Sequence, residues 1–196
     1  MTDQGDWRER AHEAEQAVVR HALELAGPWP ASTTLRGQNV EVLDVDRYEG
    51  YGVVLSAIER SVVHRGDPAL MAHVFRRDEG WQSLCAGGGG SPDHDPLLER
   101  RQWTDPTQVI VRRGSGRCRP GPGQRGQTVC YAEVICSSAV ASAVVDRPAD
   151  RRLVDVSQGP GWIVIVWPEG SEPRVTAFGA AGEDLDYLDP RLFADG

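Results

Sequence analysis

Apolar residues near the start of the chain recur at helical spacing, every three or four positions. They form one stripe, consisting of Trp7, Ala11, Ala14, Val18, Ala22 and Leu25. This is the period of an α-helix with one apolar face. Gly27 and Pro28 follow the stripe, and this pair typically ends a helix. The pattern predicts an amphipathic helix over residues 6–26 that packs its apolar face on a sheet.

From residue 38 to residue 180 the pattern changes to short β-branched or alternating runs separated by glycine and proline turns, which predict strands. We expect about eight or nine strands of about five residues each. The strand-like runs are Val40–Val45, Tyr51–Val63, Leu70–Phe75, Trp81–Ala86, Val109–Arg113, Gln127–Val145, Leu153–Val156, Trp162–Trp167 and Val175–Phe178. The predicted fold class is α+β, mainly antiparallel β, with a sandwich or strongly curled sheet and the helix on one face.

The length of 196 residues is enough for one domain with a substantial core, and we predict a single domain over residues 1–196. Its last segment, residues 183–196, reads as an acidic tail. We expect that tail to pack only through its apolar side chains, which are Leu185, Tyr187, Leu188 and Phe193.

Two parts of the β region, residues 51–90 and 132–170, resemble each other weakly. Val53–Ile58 aligns with Val134–Ala139, and at the same offset a Gly-Trp pair at Trp81 matches another at Trp162. This pattern suggests a worn internal repeat. Short apolar strands and Gly-Trp pairs also coincide easily in β-rich sequences, so duplication and coincidence both stay open.

The composition narrows the classes of function. The net charge is −8, which disfavours general binding to nucleic acid or to anionic membranes. All 21 basic residues are arginine and Asn39 is the only asparagine, a bias that indicates a high-GC bacterial genome. The N-terminus lacks the pattern of a signal peptide, and no apolar stretch approaches the length of a membrane span. We therefore expect a cytoplasmic protein.

One basic segment stands out in this acidic chain. Residues 112–125 hold four glycines, two prolines and no acidic residue, together with five arginines, namely Arg112, Arg113, Arg117, Arg119 and Arg125. Guanidinium groups offer paired donors to carboxylates and phosphates, and glycines let a backbone approach closely. The pattern predicts a flexible loop that binds an anionic partner. A solvated loop in an arginine-only protein is the alternative interpretation.

These observations favour a non-catalytic binding or regulatory protein, of which an immunity-type protein is one example. Its partner would be a protein with an acidic surface, recognised through the arginine segment. Trp29 lies between two prolines and is a candidate interface anchor, because tryptophan is enriched at binding hot spots. No catalytic or cofactor-binding motif is present, so we expect a binding protein rather than an enzyme, with no cofactor and no metal.

Two other functions stay open. In the first, the chain binds a small molecule in a cavity between helix and sheet, and this site could be enzymatic. The polar groups of such a cavity would include His73, Tyr131 and Cys136. The chain would alternatively be a structural subunit of a larger assembly. The sequence leaves the oligomeric state undetermined.

The four cysteines are Cys85, Cys118, Cys130 and Cys136, and no two form a CxxC pair. A reducing cytoplasm disfavours disulfides. If one forms, Cys118 and Cys130 are the pair that this pattern favours, because they bracket the glycine-proline segment as the base of a hairpin would.

Overall fold

A computed structural model places most of the chain. It describes residues 16–25, 35–37, 40–58, 70–89, 100, 103, 107–119 and 126–194. Helix α1 covers 16–24 within these residues, so the part of the predicted helix that precedes residue 16 lies outside the described residues.

The described residues form twelve strands, and every pairing between them is antiparallel. The strands are β1 Leu35–Gly37, β2 Val40–Tyr48, β3 Tyr51–Ile58, β4 Leu70–Arg77, β5 Trp81–Gly89, β6 Ile110–Cys118, β7 Val129–Cys136, β8 Ser142–Arg147, β9 Asp150–Asp155, β10 Trp162–Pro168, β11 Arg174–Phe178 and β12 Asp184–Leu188; helix α2, Arg191–Ala194, follows. The predicted class, antiparallel β with a helix near the N-terminus, is confirmed. The predicted number of strands is too low because the run Gln127–Val145 contains two strands and because β1 and β12 were not recognised.

The strands make three sheets that stack as layers. We call them the helix-side sheet, with order β1-β2-β3-β4-β5, the middle sheet, with order β10-β7-β6, and the outer sheet, with order β12-β11-β8-β9. One apolar cluster fills the space between the helix-side and middle sheets, and another fills the space between the middle and outer sheets. The middle sheet is therefore covered on both faces.

Burial on both faces explains the composition of the middle sheet. Every residue of β7 and of β10 is buried. Along β7, Cys130, Ala132 and Val134 face the outer sheet, whereas Tyr131 and Ile135 face the helix-side sheet. Strands buried on both faces read as continuous apolar runs rather than as alternating patterns.

Helix α1 packs on the free face of the helix-side sheet. Its buried residues Val19, Ala22 and Leu23 contact a set of sheet residues, namely Val42, Val45, Val54 and Phe75. Leu25, which the apolar stripe included, is 36% exposed. The predicted docking of the helix on a sheet is confirmed, although the buried face is slightly rotated from the predicted stripe.

Arg47 of β2 fixes the end of α1. Its guanidinium donates hydrogen bonds to the carbonyl oxygens of Ala22, Leu23 and Leu25, at 2.8, 3.0 and 2.8 Å. The last carbonyls of a helix have no partner within the helix, so these bonds satisfy groups that would otherwise need water.

On its opposite face β2 secures the edge of the middle sheet. The N–H of Val164 donates to Asp44 at 2.8 Å, and the N–H of Val166 donates to Asp46 at 2.8 Å. The carbonyl oxygens of the same two valines accept from Arg152 and Arg147, each at 3.0 Å. Two Asp–Arg pairs thus provide the hydrogen bonds that a neighbouring strand would give to β10.

These four charged side chains also bind one another across the layers. Asp46 and Arg147 form a fully buried pair with an Nη1–Oδ2 distance of 2.5 Å, and Arg152 pairs with Asp44. The Arg147 guanidinium lies 4.5 Å from the ring centre of Tyr48. Because the aspartates belong to the helix-side sheet and the arginines to the outer sheet, the network joins all three sheets.

The predicted acidic tail is part of the outer sheet. Its residues form β12, which pairs with β11, and then α2. Leu188 and Phe193 are buried as expected, but Leu185 and Tyr187 are 36% and 53% exposed.

The two segments of the suggested repeat have different pairings. β3, β4 and β5 follow one another as neighbours within the helix-side sheet. In the second segment β7 pairs directly with β10, while β8 and β9 belong to the outer sheet. The similarity in sequence therefore does not extend to the order of the strands.

Candidate partner-binding face

The arginine segment begins as a strand rather than as a loop. Arg112, Arg113 and Arg117 lie in β6, which pairs with β7 along its whole length. A bulge between Arg112 and Gly114 shifts the register by one residue. The predicted loop is thus wrong for this part of the segment, and residues 120–125 lie outside the described residues.

The glycines of β6 make room for two large side chains of β7. A Cβ added to Gly114 would lie 2.6 Å from a carboxylate oxygen of Glu133, and a Cβ added to Gly116 would lie 2.6 Å from the ring of Tyr131. Both distances are shorter than a van der Waals contact. The glycines therefore serve close packing within a sheet, a role that differs from the flexibility that the sequence suggested.

Three of the five predicted arginines face the surface. Arg113, Arg117 and Arg119 are exposed, whereas Arg112 is half-buried and its Nη1 atom is buried without a hydrogen bond. Arg125 and the predicted anchor Trp29 lie outside the described residues. We call the exposed set, Arg113, Arg117 and Arg119, the arginine face.

Two members of the arginine face are held by local contacts. The Arg113 guanidinium lies 5.8 Å from the ring centre of Trp103. Arg117 lies 3.4 Å from a carboxylate oxygen of Glu169 and donates to the carbonyl oxygen of Ala194. These contacts restrict the side chains, so less freedom is lost when an anion binds to them.

Arg119 reaches a small cleft between the helix-side and middle sheets. The opposite wall carries Arg76 of β4 and its cross-strand neighbour Tyr51. Leu84 and Cys118 also line the cleft, together with Gln127 from the segment that precedes β7. Two cations from different sheets therefore border one depression.

A disulfide joins the two edge strands beside this cleft. Cys85 of β5 pairs with Cys118 of β6, with a Cα–Cα distance of 6.0 Å. The sequence disfavoured any disulfide, and this expectation is wrong. The pair that it named in case one formed, Cys118 with Cys130, is not the one observed, and Cys130 and Cys136 are free and buried. Cys118 contributes to the apolar cluster on one face of the middle sheet and Cys130 to the cluster on the other, so their side chains point apart.

Glu133 is a buried carboxyl group in apolar surroundings. It is 4% exposed, and burial raises its pKa to about 7. Burial raises the pKa of the neighbouring Tyr131 as well, and the negative charge of Glu133 adds to that shift. A carboxyl group with such a pKa changes its charge near neutral pH.

The residues of the predicted small-molecule site lie in three different layers. His73 is buried beneath α1, where its ring nitrogens lie 3.3 Å from Ser56 Oγ and 3.4 Å from the Gln16 amide. Tyr131 lies between the helix-side and middle sheets, and Cys136 lies between the middle and outer sheets. The fold therefore does not bring these three side chains together.

Sequence reasoning missed three residues of this region: Arg76, Cys85 and Glu133. A glutamate within the apolar run of β7, facing a Gly-Ser-Gly strand, was a signal for Glu133. Arg76 and Cys85 gave no comparable signal, because only the stacking of two sheets brings them next to β6.

The fold and this face define an antiparallel β protein of three stacked sheets, with one helix on the first sheet and an arginine-bearing edge on the second. Compared with protein-family models, curated proteins and solved structures, the chain matches none of them. Within the described residues, neither helix has the length and hydropathy of a membrane-spanning segment. The same residues contain no group of three or more histidine, cysteine or acidic side chains placed to hold a metal ion.

Proposed function

We propose that this chain is a non-catalytic binding protein that recognises an acidic segment of a partner protein through its arginine face. The observation that carries the proposal is the position of β6. It ends the middle sheet, no described strand pairs with its other edge, and its exposed side chains include Arg113 and Arg117 in a protein of net charge −8.

Electrostatics supports this assignment. A positive patch on an acidic protein attracts acidic surfaces over short range, and it orients them, while the remaining negative charge repels them elsewhere. Exposed charge pairs contribute little individually, so several must act together to give useful affinity. The arginine face offers three such cations within seven residues of chain.

A direct test uses short poly-L-glutamate as the acidic probe. Binding of the wild type is compared with that of a triple variant, Arg113→Gln, Arg117→Gln and Arg119→Gln, by fluorescence anisotropy at two salt concentrations. We expect the variant to lose at least about tenfold in affinity, since three exposed charge contacts contribute about 0.5–1 kcal/mol each. The salt dependence of binding should fall in parallel.

The matched control removes three arginines elsewhere on the surface, Arg77, Arg151 and Arg191, each changed to glutamine. All three are exposed, so net charge changes equally in the two variants. Equal loss in both would mean that only net charge matters, and it would contradict the proposal. If the arginine-face variant alone loses affinity, a pull-down from host lysate with the same pair of proteins identifies the partner.

The cytoplasmic location is part of the proposal, and the disulfide is the observation against it. Disulfides persist in oxidising compartments and are rare in the cytoplasm. Acid quenching of host cells, followed by alkylation of the denatured protein so that buried thiols also react, decides between the two. Four modified cysteines would place the protein in a reducing compartment, whereas only two, Cys130 and Cys136, would indicate an oxidising one.

A further inference from the structure

The cleft between Arg76 and Arg119 has the properties of an anion site. Arg76 is half-buried at the end of β4, and Arg119 follows the last residue of β6. Among the described residues neither side chain forms an ion pair, in contrast to Arg117, Arg147 and Arg152. Two arginines that have no ion-pair partner within the described part of the chain thus border one cleft.

The rest of the lining combines polar and apolar side chains. The Tyr51 hydroxyl and the Gln127 amide are donors, whereas Leu84 and the disulfide sulfur of Cys118 are apolar. Apolar groups in the lining lower the local dielectric constant, and this strengthens the attraction between a bound anion and the arginines.

The size of the cleft selects a small group. Its volume is about 10 Å³, which is about the room that one water-sized group needs. This room admits one oxygen of a carboxylate, and the second oxygen has to stay at the mouth of the cleft. A nucleotide or another large anion would have to leave most of its surface outside.

We infer that this cleft is a receptor for a single carboxylate group. The choice of a protein as the source of that carboxylate rests on the proposed function, while the carboxylate itself is assigned from the cleft. Two sources share this chemistry, an aspartate or glutamate side chain and the C-terminus of a polypeptide.

Adjacent arginines on β4 provide a matched pair for the test. Arg76 is paired in register with Tyr51 and faces the middle sheet, as its neighbour Val74 two residues earlier does. Arg77 points to the other side of the sheet, where its guanidinium lies 5.9 Å from the ring centre of Trp81. Arg76→Gln and Arg77→Gln therefore remove the same charge from opposite faces.

The experiment is an NMR titration of the full chain with sodium acetate, read from the Gly126 backbone amide and the Gln127 side-chain amide at constant ionic strength. We expect saturable shifts in the wild type. Arg76→Gln and Arg119→Gln should each weaken binding by about tenfold or more, because each removes a charge-assisted hydrogen bond. Arg77→Gln should bind as the wild type does.

Three results would overturn the inference: no saturable shift, saturation with inorganic phosphate but not with acetate, or equal weakening by Arg76→Gln and Arg77→Gln. Two peptides distinguish the sources of the carboxylate. One is an amidated peptide with a single glutamate, and the other is acetylated triglycine with a free C-terminus. The source is identified by the peptide that binds more tightly to the wild type and that loses affinity in the Arg76→Gln variant.

The outcomes separate this inference from the proposed function. If acetate does not bind but poly-L-glutamate still depends on Arg113 and Arg117, the carboxylate site is wrong and the proposed function stands. If acetate binds through Arg76 and Arg119 but the affinity for poly-L-glutamate is unchanged in the triple variant of the arginine face, the proposed function fails. The carboxylate site then stands.

Discussion

The two edges of the middle sheet differ in how their charges are used. At the β10 edge, Asp44 and Asp46 are buried and paired with arginines, and they satisfy the backbone of Val164 and Val166. At the β6 edge, Arg113 and Arg117 face outward, and Glu133 of the neighbouring strand β7 is buried. One edge is closed by charged side chains of the protein itself, and the other presents charges to the surroundings.

This difference indicates which edge is structural. An exposed sheet edge invites pairing with other chains, and proteins close or charge such edges. The β10 edge is closed from within by buried ion pairs, which are costly to break once formed. The β6 edge instead carries exposed arginines, so its charges remain accessible to a partner.

The largest effect is expected where the β10 edge is broken. Asp46→Ala leaves Arg147 without its buried counter-charge and Val166 N–H without its acceptor. We expect the free energy of unfolding to fall by about 3–5 kcal/mol, as measured by urea denaturation.

The control for this variant is Asp146→Ala. Asp146 belongs to an exposed pair with Arg151 at 3.3 Å, so its loss should cost less than about 1 kcal/mol. The double variant Asp46→Leu with Arg147→Met should recover only part of the lost stability. Apolar residues can replace a buried ion pair, but they leave the N–H and the carbonyl oxygen of Val166 without these partners. A small loss in Asp46→Ala would show that the β10 edge needs no such network.

A somewhat smaller effect is expected at the β6 edge. The disulfide between Cys85 and Cys118 closes a loop with a sequence separation of 33 residues. Loop-closure entropy for this length predicts a loss of about 3–4 kcal/mol upon removal. Denaturation of the wild type with and without a reductant measures it, and Cys85→Ser with Cys118→Ser should match the reduced protein. The variant Cys130→Ser controls for loss of a buried thiol; a loss as large as that of the double variant would show that the crosslink is not the cause.

The smallest of the three effects depends on pH and concerns Glu133. In the folded chain the Glu133 carboxyl group keeps its proton up to about pH 7. In the unfolded chain the same group releases its proton near its ordinary pKa of 4.5. The raised pKa means that the folded state binds the proton more tightly. Stability is therefore greatest below pH 4.5 and falls as the pH rises to about 7. The fall is at most about 3 kcal/mol.

Glu133→Gln should abolish this decline, so the variant would gain stability over the wild type at pH 8 but not at pH 4. Urea denaturation across this pH range tests it. Glu79→Gln removes an exposed negative charge and serves as the control. Parallel pH profiles for the wild type and Glu133→Gln would show that Glu133 does not titrate within this window.

Local patterns predicted much of the fold. The apolar stripe that contains Ala22 predicted a helix that docks on a sheet, and most strand runs were located, because both depend on periodicity along the chain. The boundaries were less accurate. β2 continues to Tyr48, beyond the predicted end at Val45. The charged residues Asp44 and Asp46 do not end the strand, because they bind to the edge of another sheet rather than to water.

The candidate site was predicted only in part. Arg119 was recognised as a surface cation from its sequence neighbours alone. Its cleft partner Arg76 lies 43 positions earlier, and no local pattern links the two. Likewise, from the sequence alone, the glycines of β6 are equally compatible with a flexible loop and with close packing beneath Tyr131 and Glu133.

By itself the sequence determined the class of secondary structure, the acidic charge and the basic segment, because each depends on residue types and on spacing along the chain. Only the tertiary structure decided which charges are buried, which cysteines pair and which arginines share a cleft. These properties arise from the stacking of three sheets, which brings residues such as Asp46 and Arg147 into contact across a separation of 101 positions. Alternation along a strand determines on which face of its sheet each side chain lies. Which layer packs against that face is determined by long-range contacts.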